Sequence, residues 1–261
     1  MTTADLYDES YYSGMRGADA LYRQFVDLAG EFGALGEKRV LDVGCGRGEL
    51  LTQLAEAGAR NVFGMDFSAA AVQQAQAQLA PLLGEAAESH VREGSVTDAG
   101  LYEPATFDIA FMTDVVEHLP DADLHAGLVN VASWLKPGGG LIVHTFPTLG
   151  PHRIYRLLLR ITGKTEALAT LDAIHCNVQT RASMHAALKR AGFSVDRIFL
   201  RNDLVHTSSL YQRLPDGIIK KGLRLIFNDF LGSRSVAALL RGIGVAEYAS
   251  PSIYAICRPP A

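Results

Sequence analysis

The chain has 261 residues, 48% of them hydrophobic, which suits one well-packed domain with additions. Residues 1–150 carry 21 acidic and 8 basic side chains, a balance of −13, whereas residues 151–261 carry 7 and 16, a balance of +9. No apolar run is long enough to cross a bilayer, the acidic start lacks the pattern of a secretory signal, and three widely spaced cysteines indicate neither a disulfide framework nor a zinc knuckle. We therefore expect a cytoplasmic protein whose basic half faces either solvent or an anionic partner.

Apolar runs alternate with helical patterns through the first two-thirds of the chain. This alternation predicts a parallel sheet with crossover helices. The predicted strands are residues 39–43, 61–65, 90–96, 107–113 and 141–145. The predicted helices between them are residues 49–57, 68–83, 114–119 and 124–135, with Ser68 as an N-cap.

Beyond residue 146 the alternation loosens. The signals that continue it are a helix over residues 181–191 and strands over residues 193–200 and 252–258. Residues 147–179 and 203–250 are long, mostly helical additions. We expect them to form a substrate cap over the carboxyl ends of the strands, where open α/β sheets bind ligands.

A glycine-rich turn joins the first predicted strand to the first predicted helix, with the sequence Val-Leu-Asp-Val-Gly-Cys-Gly-Arg-Gly over residues 40–48. Gly44 and Gly46 let the backbone turn sharply and approach a ligand closely. Their G-x-G-x-G spacing differs from the G-x-G-x-x-G of dinucleotide sites, which disfavours a nicotinamide oxidoreductase. Asp42 can accept hydrogen bonds near an ammonium group, and Asp66, at the end of the second strand, can accept both hydroxyls of a ribose.

These motifs, in this order, resemble those of class I S-adenosylmethionine-dependent methyltransferases. Residues 107–119 and 134–140 extend the resemblance, which covers about residues 38–146 and, more weakly, 175–200. It implies a Rossmann-like, seven-stranded, mostly parallel sheet, with residues 1–37 as an arm over the cofactor and 38–261 as the methyltransferase domain. The cofactor-binding residues it implies are Tyr12, Asp42, Gly44, Cys45, Gly46, Asp66, Phe67, Ser95, Val96 and Thr113.

Acidic residues and a histidine follow the fourth strand: Asp114, Glu117 and His118 share one face if the segment is helical. Two carboxylates and an imidazole can bind a divalent cation such as Mg²⁺. The segment resembles the metal-binding E-x-x-E-H element of ubiquinone-biosynthesis O-methyltransferases and of plant-type small-RNA 2′-O-methyltransferases. The RNA enzymes use a further downstream histidine as a ligand, and the resemblance makes His175 the candidate here. The alternative is a metal-free site in which His118 or His175, beside Glu117, is the general base.

Basic residues line one helical face of the first addition, at Arg153, Arg156, Arg160 and Lys164. The pattern is typical of a solvated face, and it also suits a phosphate site in which Arg153 and Arg156 bind the substrate. Residues 218–231 are apolar and basic together, which fits core packing, an apolar substrate pocket or peripheral membrane contact.

Taken with the resemblance, these patterns predict a methyltransferase that acts on an oxygen of a small molecule, with or without a divalent cation. The basic cap adds the hypothesis of an anionic or phosphorylated substrate with an apolar tail. Carbon methylation of an isoprenoid-like diphosphate is an alternative, as is a non-catalytic cofactor-binding protein. Nucleic acid is disfavoured as a partner, and with it RNA 2′-O-methylation, because the basic half lacks interleaved aromatic and basic residues.

Overall fold

A computed structural model describes residues 19–146, 148–201 and 252–260. Its helices are α1 (Asp19–Gly30), α2 (Glu49–Glu56), α3 (Ala69–Leu83), α4 (Ala86–His90), α5 (Asp121–Trp134), α6 (Leu149–Ile161), α7 (Thr165–Ile174) and α8 (Arg181–Arg190), with a 3₁₀ turn at Val116–His118. Its strands are β1 (Arg39–Val43), β2 (Asn61–Asp66), β3 (Val91–Glu93), β4 (Phe107–Thr113), β5 (Leu135–Thr145), β6 (Ser194–Arg201) and β7 (Ser252–Arg258). Among these helices, none is both long enough and apolar enough to cross a bilayer.

The seven strands form one sheet in the order β3-β2-β1-β4-β5-β7-β6. All neighbouring pairs are parallel except those of β7, which runs antiparallel to both β5 and β6. The predicted seven-stranded, mostly parallel sheet is therefore confirmed. Since β1, β2, β3 and β4 are parallel, their carboxyl ends lie along one edge, and the loops that follow them meet there.

Apolar side chains on both faces of the sheet build two core layers. On one face, Val40, Ile109 and Phe111 pack with the buried side of α1, α2 and α3. On the other face, Leu41 and Met112 pack with α5 and α8. Burial on both faces explains why β1 and β4 read as continuous apolar runs rather than as alternating patterns.

The helix α1 shows what part of the predicted N-terminal arm does. Leu21, Phe25 and Leu28 are buried in the core, and the Phe25 ring lies edge-on to Phe111 of β4, with centroids 6.4 Å apart. Residues 19–30 therefore belong to the packed domain. Tyr12 and the rest of the predicted arm lie outside the described residues.

Several element boundaries differ from the predicted ones. β5 begins at Leu135, because Leu135 pairs with Phe107 and the Lys-Pro-Gly-Gly-Gly stretch is drawn into the strand across a register shift. Lys136 helps to hold it there through Asp108, with Nζ and Oδ2 2.8 Å apart. β3 is confined to three residues, Val91–Glu93. The predicted cap segment 147–179 contains α6 and α7, and residues 203–250 lie outside the described part of the chain.

Candidate functional site

The glycine-rich turn lies between β1 and α2, at the edge where the parallel strands end. Gly44, Gly46 and Gly48 all have positive φ, at 73°, 52° and 87°. A Cβ placed on Gly44 would lie 2.5 Å from Cγ2 of Val115, in the loop after β4. The turn therefore requires glycine both for its backbone conformation and for close approach to the neighbouring loop.

Asp66, the last residue of β2, fixes this turn. Its Oδ2 accepts a hydrogen bond from the Gly46 N–H at 2.9 Å, and its Oδ1 accepts one from the Ser68 N–H at 2.9 Å. Burial raises the pKa of Asp66, while these backbone donors oppose the rise. Each carboxylate oxygen can accept further hydrogen bonds, so a ligand with two hydroxyl donors could still be held here.

Asp42 lies beside Asp66 and is also buried. Burial raises its pKa well above that of an ordinary aspartate, and the nearby Asp66 and Glu49 raise it further. Within the described structure, Asp42 Oδ1 is buried without a hydrogen-bond partner. A buried acceptor with no partner is rare in a folded protein, and a cationic or N–H-bearing ligand would satisfy it.

Tyr22 of α1 was not singled out by the sequence, yet it lies in this acidic group. Burial is the main cause that raises the pKa of Tyr22, and the charges of Glu49, Asp114 and Asp42 raise it further. Tyr22 therefore stays protonated, within the electrostatic reach of these acidic residues. A helix some 20 residues upstream has no fixed spacing to the turn, so only three-dimensional packing reveals this proximity.

The remaining predicted cofactor residues lie around the same edge in different ways. Cys45 is buried under β2, where a Cβ on Gly64 would come 2.9 Å from its Sγ, so only its backbone can face a ligand. Val96 likewise points into the core. Phe67 is 43% exposed and Ser95 is exposed beyond the strand ends, while Thr113 ends β4 and is half-buried.

Asp114 does not lie on a helix, which corrects the prediction of a helical face over residues 114–119. Its φ is +55°, so the backbone turns left-handed there and the 3₁₀ turn starts only at Val116. The Asp114 N–H donates to the His144 carbonyl at 3.0 Å, and Asp114 Oδ1 lies 2.9 Å from His144 Nδ1. Asp114 therefore contacts β5, and it does not share a helical face with Glu117 and His118.

Glu117 is completely buried, and protein donors occupy both of its oxygens. Oε2 accepts from the Thr145 hydroxyl at 2.9 Å, and Oε1 from the Phe146 N–H at 3.4 Å. Burial raises its pKa well above the usual glutamate value, and Asp114 adds to the rise. Glu117 thus ties the loop after β4 to the end of β5.

His118 faces the segment that follows α7. Its Nδ1 lies 2.8 Å from the Ile174 carbonyl oxygen, which can only accept, so Nδ1 carries the proton and Nε2 is the basic nitrogen of the neutral ring. Burial lowers the pKa of His118. The ring is therefore neutral near pH 7, which is the state a general base requires.

Two further histidines adjoin His118. The His175 ring centroid is 5.1 Å from that of His118, and the His152 centroid on α6 is 5.8 Å from His175. Burial, then His118 and His152, lower the pKa of His175 to about 4. The Asn177 N–H donates to the Glu117 carbonyl at 2.9 Å. Together with the contact between His118 and Ile174, this bond joins the loop after β4 to the segment after α7. The structure thus brings together the predicted His118 and His175, and it adds His152, which the sequence left unassigned.

A divalent cation does not fit the predicted ligand set. Asp114 contacts His144, and both Glu117 oxygens accept hydrogen bonds from the protein. His118 holds its Nδ1 proton on the Ile174 carbonyl, which leaves Nε2 as its one possible ligand atom. Across residues 19–146, 148–201 and 252–260, no three histidine, cysteine or acidic side chains form a group that could hold a metal ion. The predicted convergence of these donors depended on a continuous helix, which the left-handed Asp114 prevents.

Comparison with known proteins shows which family the chain belongs to. The methyltransferase-domain family matches residues 16–198, which is more than half of the chain. The chain belongs to this methyltransferase family. A curated relative, the ubiquinone biosynthesis O-methyltransferase of Leptothrix cholodnii, is 35% identical over 142 residues, covering 54% of this chain and 56% of that protein. The chain spans about half the length of the curated relatives it matches.

Solved structures share the methyltransferase fold at low identity. Geranyl diphosphate C-methyltransferase from Streptomyces coelicolor A3(2) has a TM-score of 0.60 and 16% identity, covering 91% of this chain and 78% of that one. Magnesium protoporphyrin IX methyltransferase from Synechocystis, with bound S-adenosylmethionine, has a TM-score of 0.54 and 20% identity, covering 92% and 79%. At this identity the likeness establishes the class I methyltransferase fold alone.

The two arginines predicted to bind substrate have different surroundings in this methyltransferase. Arg156 pairs with Asp172 of α7, with Nη2 2.9 Å from Oδ2, so its charge is already balanced within the cap. Arg153 is exposed on α6. A phosphate that approached Arg156 would compete with Asp172, whereas no acidic side chain of the described residues pairs with Arg153.

Proposed function

We propose that this chain binds S-adenosylmethionine at the carboxyl edge of the sheet and catalyses methyl transfer. The observation that carries the proposal is the buried pair of Asp42 and Asp66 around the left-handed glycine turn. In this arrangement Asp42 Oδ1 would accept from the ammonium group, and Asp66 would accept from the ribose hydroxyls. Phe67 and Ser95 would flank the adenine. When bound, the cofactor supplies a methyl group already activated by its sulfonium.

The residues of this chain then have two tasks, which are to align the acceptor and to take its proton. His118 is the proton acceptor in our proposal, because its Nδ1 proton is held by Ile174 and its lowered pKa leaves Nε2 unprotonated near neutral pH. Glu117 is a positioning residue, since its buried oxygens fix the loop that carries His118. His175 packs against the His118 ring and excludes water from it.

We propose an oxygen of a small phenolic molecule as the acceptor. The relatives named as ubiquinone biosynthesis O-methyltransferases favour such an acceptor, and so does a neutral imidazole, since a phenol must lose a proton as it reacts. A carbon acceptor in an isoprenoid-like diphosphate is the second candidate, supported by the exposed Arg153. No metal takes part in the proposed mechanism, because the predicted donors do not form a group that could hold an ion within the described structure.

The first test measures binding alone. Calorimetry with S-adenosylmethionine and NAD in parallel should give binding of the former only. Tight binding of NAD, or binding of neither ligand, contradicts the proposed cofactor.

The second test addresses the proton acceptor in His118→Asn, which keeps a side-chain N–H for the Ile174 carbonyl. Loss of a general base should lower kcat about 10²- to 10⁴-fold with unchanged cofactor affinity, measured as methyl-donor consumption on catechol and phenol acceptors. In the wild type, kcat/KM should fall on acidification through a pKa below about 6.5, the ordinary histidine value. His185→Asn, at an exposed position on α8, is the matched control. Full activity of His118→Asn, or turnover abolished by chelators, contradicts the mechanism.

A further inference from the structure

Helix α6 presents an apolar stripe to the outside of the molecule. Ile154, Leu157, Leu158 and Ile161 are 54%, 56%, 51% and 72% exposed. Their spacing of i, i+3, i+4 and i+7 places all four on one face. The opposite face carries Leu159, which is buried, so α6 has one apolar face for the protein and another that no described residue covers.

This clustering is unusual within the described chain. The other large apolar side chains with comparable exposure are Phe67, at the cofactor edge, Leu82 on α3 and Val129 on α5, and no two of these share an element. Isolated exposed apolar residues are ordinary on protein surfaces, whereas a contiguous patch marks an interaction site. The stripe on α6 therefore has the features of an interaction surface.

The charges beside the stripe indicate what kind of partner. Arg153 and Arg160 are exposed along one edge of the stripe, and the exposed Lys164 follows the helix. α6 contains no acidic residue, and within the described structure no acidic side chain pairs with these three cations. Arg156 differs, because Asp172 balances it. The face thus combines aliphatic side chains with unbalanced positive charge.

We propose that this outward face of α6 (Ile154, Leu157, Leu158 and Ile161, with Arg153, Arg160 and Lys164) lies on the surface of a bilayer that contains anionic phospholipid. The aliphatic side chains would enter the boundary between headgroups and acyl chains, and the cations would contact lipid phosphates. At 13 residues the helix is far too short to span a membrane, which fits an in-plane orientation.

A second copy of the chain fits this face less well. Symmetric antiparallel pairing of two α6 helices would bring the basic edge of one copy against the same edge of the other. The like charges would then repel each other without an acidic residue on either helix to offset them. An anionic lipid surface has the complementary charge along the entire edge.

The outward face of α6 lies close to the proposed catalytic histidine, so membrane contact there would bear on substrate access. His152, on the inward face of the same helix, adjoins His175 beside the proposed proton acceptor. A substrate with an apolar tail could therefore reach the site from the lipid without crossing water. Membrane binding itself does not depend on methyl transfer, so it can be tested without substrate or turnover.

The test is co-sedimentation of the full chain with phosphatidylcholine vesicles, with and without phosphatidylglycerol. We expect strong binding only with phosphatidylglycerol, and binding that weakens as salt rises. Leu157→Ser with Ile161→Ser should reduce partitioning at least about tenfold. Arg153→Gln with Arg160→Gln should reduce it about fivefold for each charge on anionic vesicles. Leu82→Ser with Val129→Ser, at comparably exposed apolar positions elsewhere, should change nothing.

Three results would overturn the proposal. The first is equal sedimentation of the wild type and the Leu157→Ser, Ile161→Ser variant. The second is a concentration-dependent dimer that this variant abolishes, which would assign the face to a second copy. The third is a lower unfolding temperature of the same variant, comparable to that of a core substitution, which would show that the chain's own residues cover the stripe. Unchanged cofactor affinity serves as the check that the variants are folded.

Discussion

Gly44 is the residue at which the turn and the loop after β4 come closest. Gly44→Ala adds a Cβ at a φ of +73° and places it 2.5 Å from Val115. We expect about 1 kcal/mol of backbone strain together with displacement of the loop, so cofactor affinity should fall more than tenfold in calorimetry. Val115→Ala in the same chain removes the clash and should restore part of the affinity.

Gly58→Ala is the control for strain alone, because Gly58 has a φ of +97° but nothing within 4 Å of the added Cβ. It should lower the unfolding temperature slightly and leave cofactor binding intact. Equal affinity of Gly44→Ala and the wild type would contradict the assignment of this turn to the cofactor.

Asp66 and Asp108 provide a matched comparison of two carboxylates that each accept from the backbone. Asp66→Asn would direct an amide N–H at the Gly46 or Ser68 donor, which should cost about 1–3 kcal/mol of stability and loosen the turn. Asp108→Asn disturbs the Arg39 N–H and Lys136 at the opposite edge of the sheet. Calorimetry should show weaker cofactor binding in Asp66→Asn alone, and equal affinity of the two variants would contradict the site.

The contrast between Asp66 and Asp114 shows what the sequence could predict at this scale. Asp66 follows an apolar run at a fixed distance from the glycine turn, and the structure places it against that turn. Asp114 has the helical spacing to Glu117 and His118, but its left-handed backbone breaks the period. A pattern of spacings assumes regular φ and ψ, so it fails where one residue leaves the helical region.

At the scale of elements, the histidine rings of His118 and His175 pack together where the segment after α7 meets the loop after β4. Burial and two neighbouring imidazoles lower the pKa of His175 to about 4, below the value of about 6.5 in an unfolded chain. The unfolded state therefore binds more protons between these values, so this contribution to stability is complete above about pH 6.5 and is lost as the pH falls toward 4. The loss is at most about 1.4 kcal/mol per pH unit, and less for a partly exposed ring.

His175→Phe keeps a ring at this position and removes the titration. We expect the difference in unfolding free energy between wild type and variant to change over the same pH range, measured by denaturant unfolding at several pH values. His185→Phe, on the exposed face of α8, should run parallel to the wild type. A His175→Phe curve that also runs parallel to the wild type would show that folding does not lower the pKa of His175.

The core helices and the two central strands were predictable from local sequence, whereas the edges of other strands were not. β1 and β4 are buried on both faces, so their apolar runs coincide with the strands, and Ser68 caps α3 by accepting from the Ala71 N–H at 3.3 Å. β5 was predicted too short, because a Pro-Gly-rich stretch reads as a loop when its partners on β4 are unknown. Strand pairing is a long-range property that local propensity does not contain.

At the scale of the whole molecule, the C-terminal strand is joined to the cofactor edge. Tyr254 of β7 is completely buried between β5 and β6, and its ring lies 4.6 Å from His144 and 5.3 Å from Phe199. His144 in turn contacts Asp114 at the end of β4. A residue of β7 therefore supports a cofactor edge whose predicted binding residues all precede residue 120.

Tyr254→Ala tests this connection. Removing a large buried ring should lower the unfolding free energy by about 3–5 kcal/mol, and the sheet should still unfold in one transition because β7 lies between two strands. Cofactor affinity should fall as well, since His144 loses its packing and Asp114 its fixed neighbour. Tyr254→Phe keeps the ring and should lose much less of both. If Tyr254→Ala lowers stability while cofactor affinity stays that of the wild type, the C-terminal strand supports the fold alone, and the connection through His144 is absent.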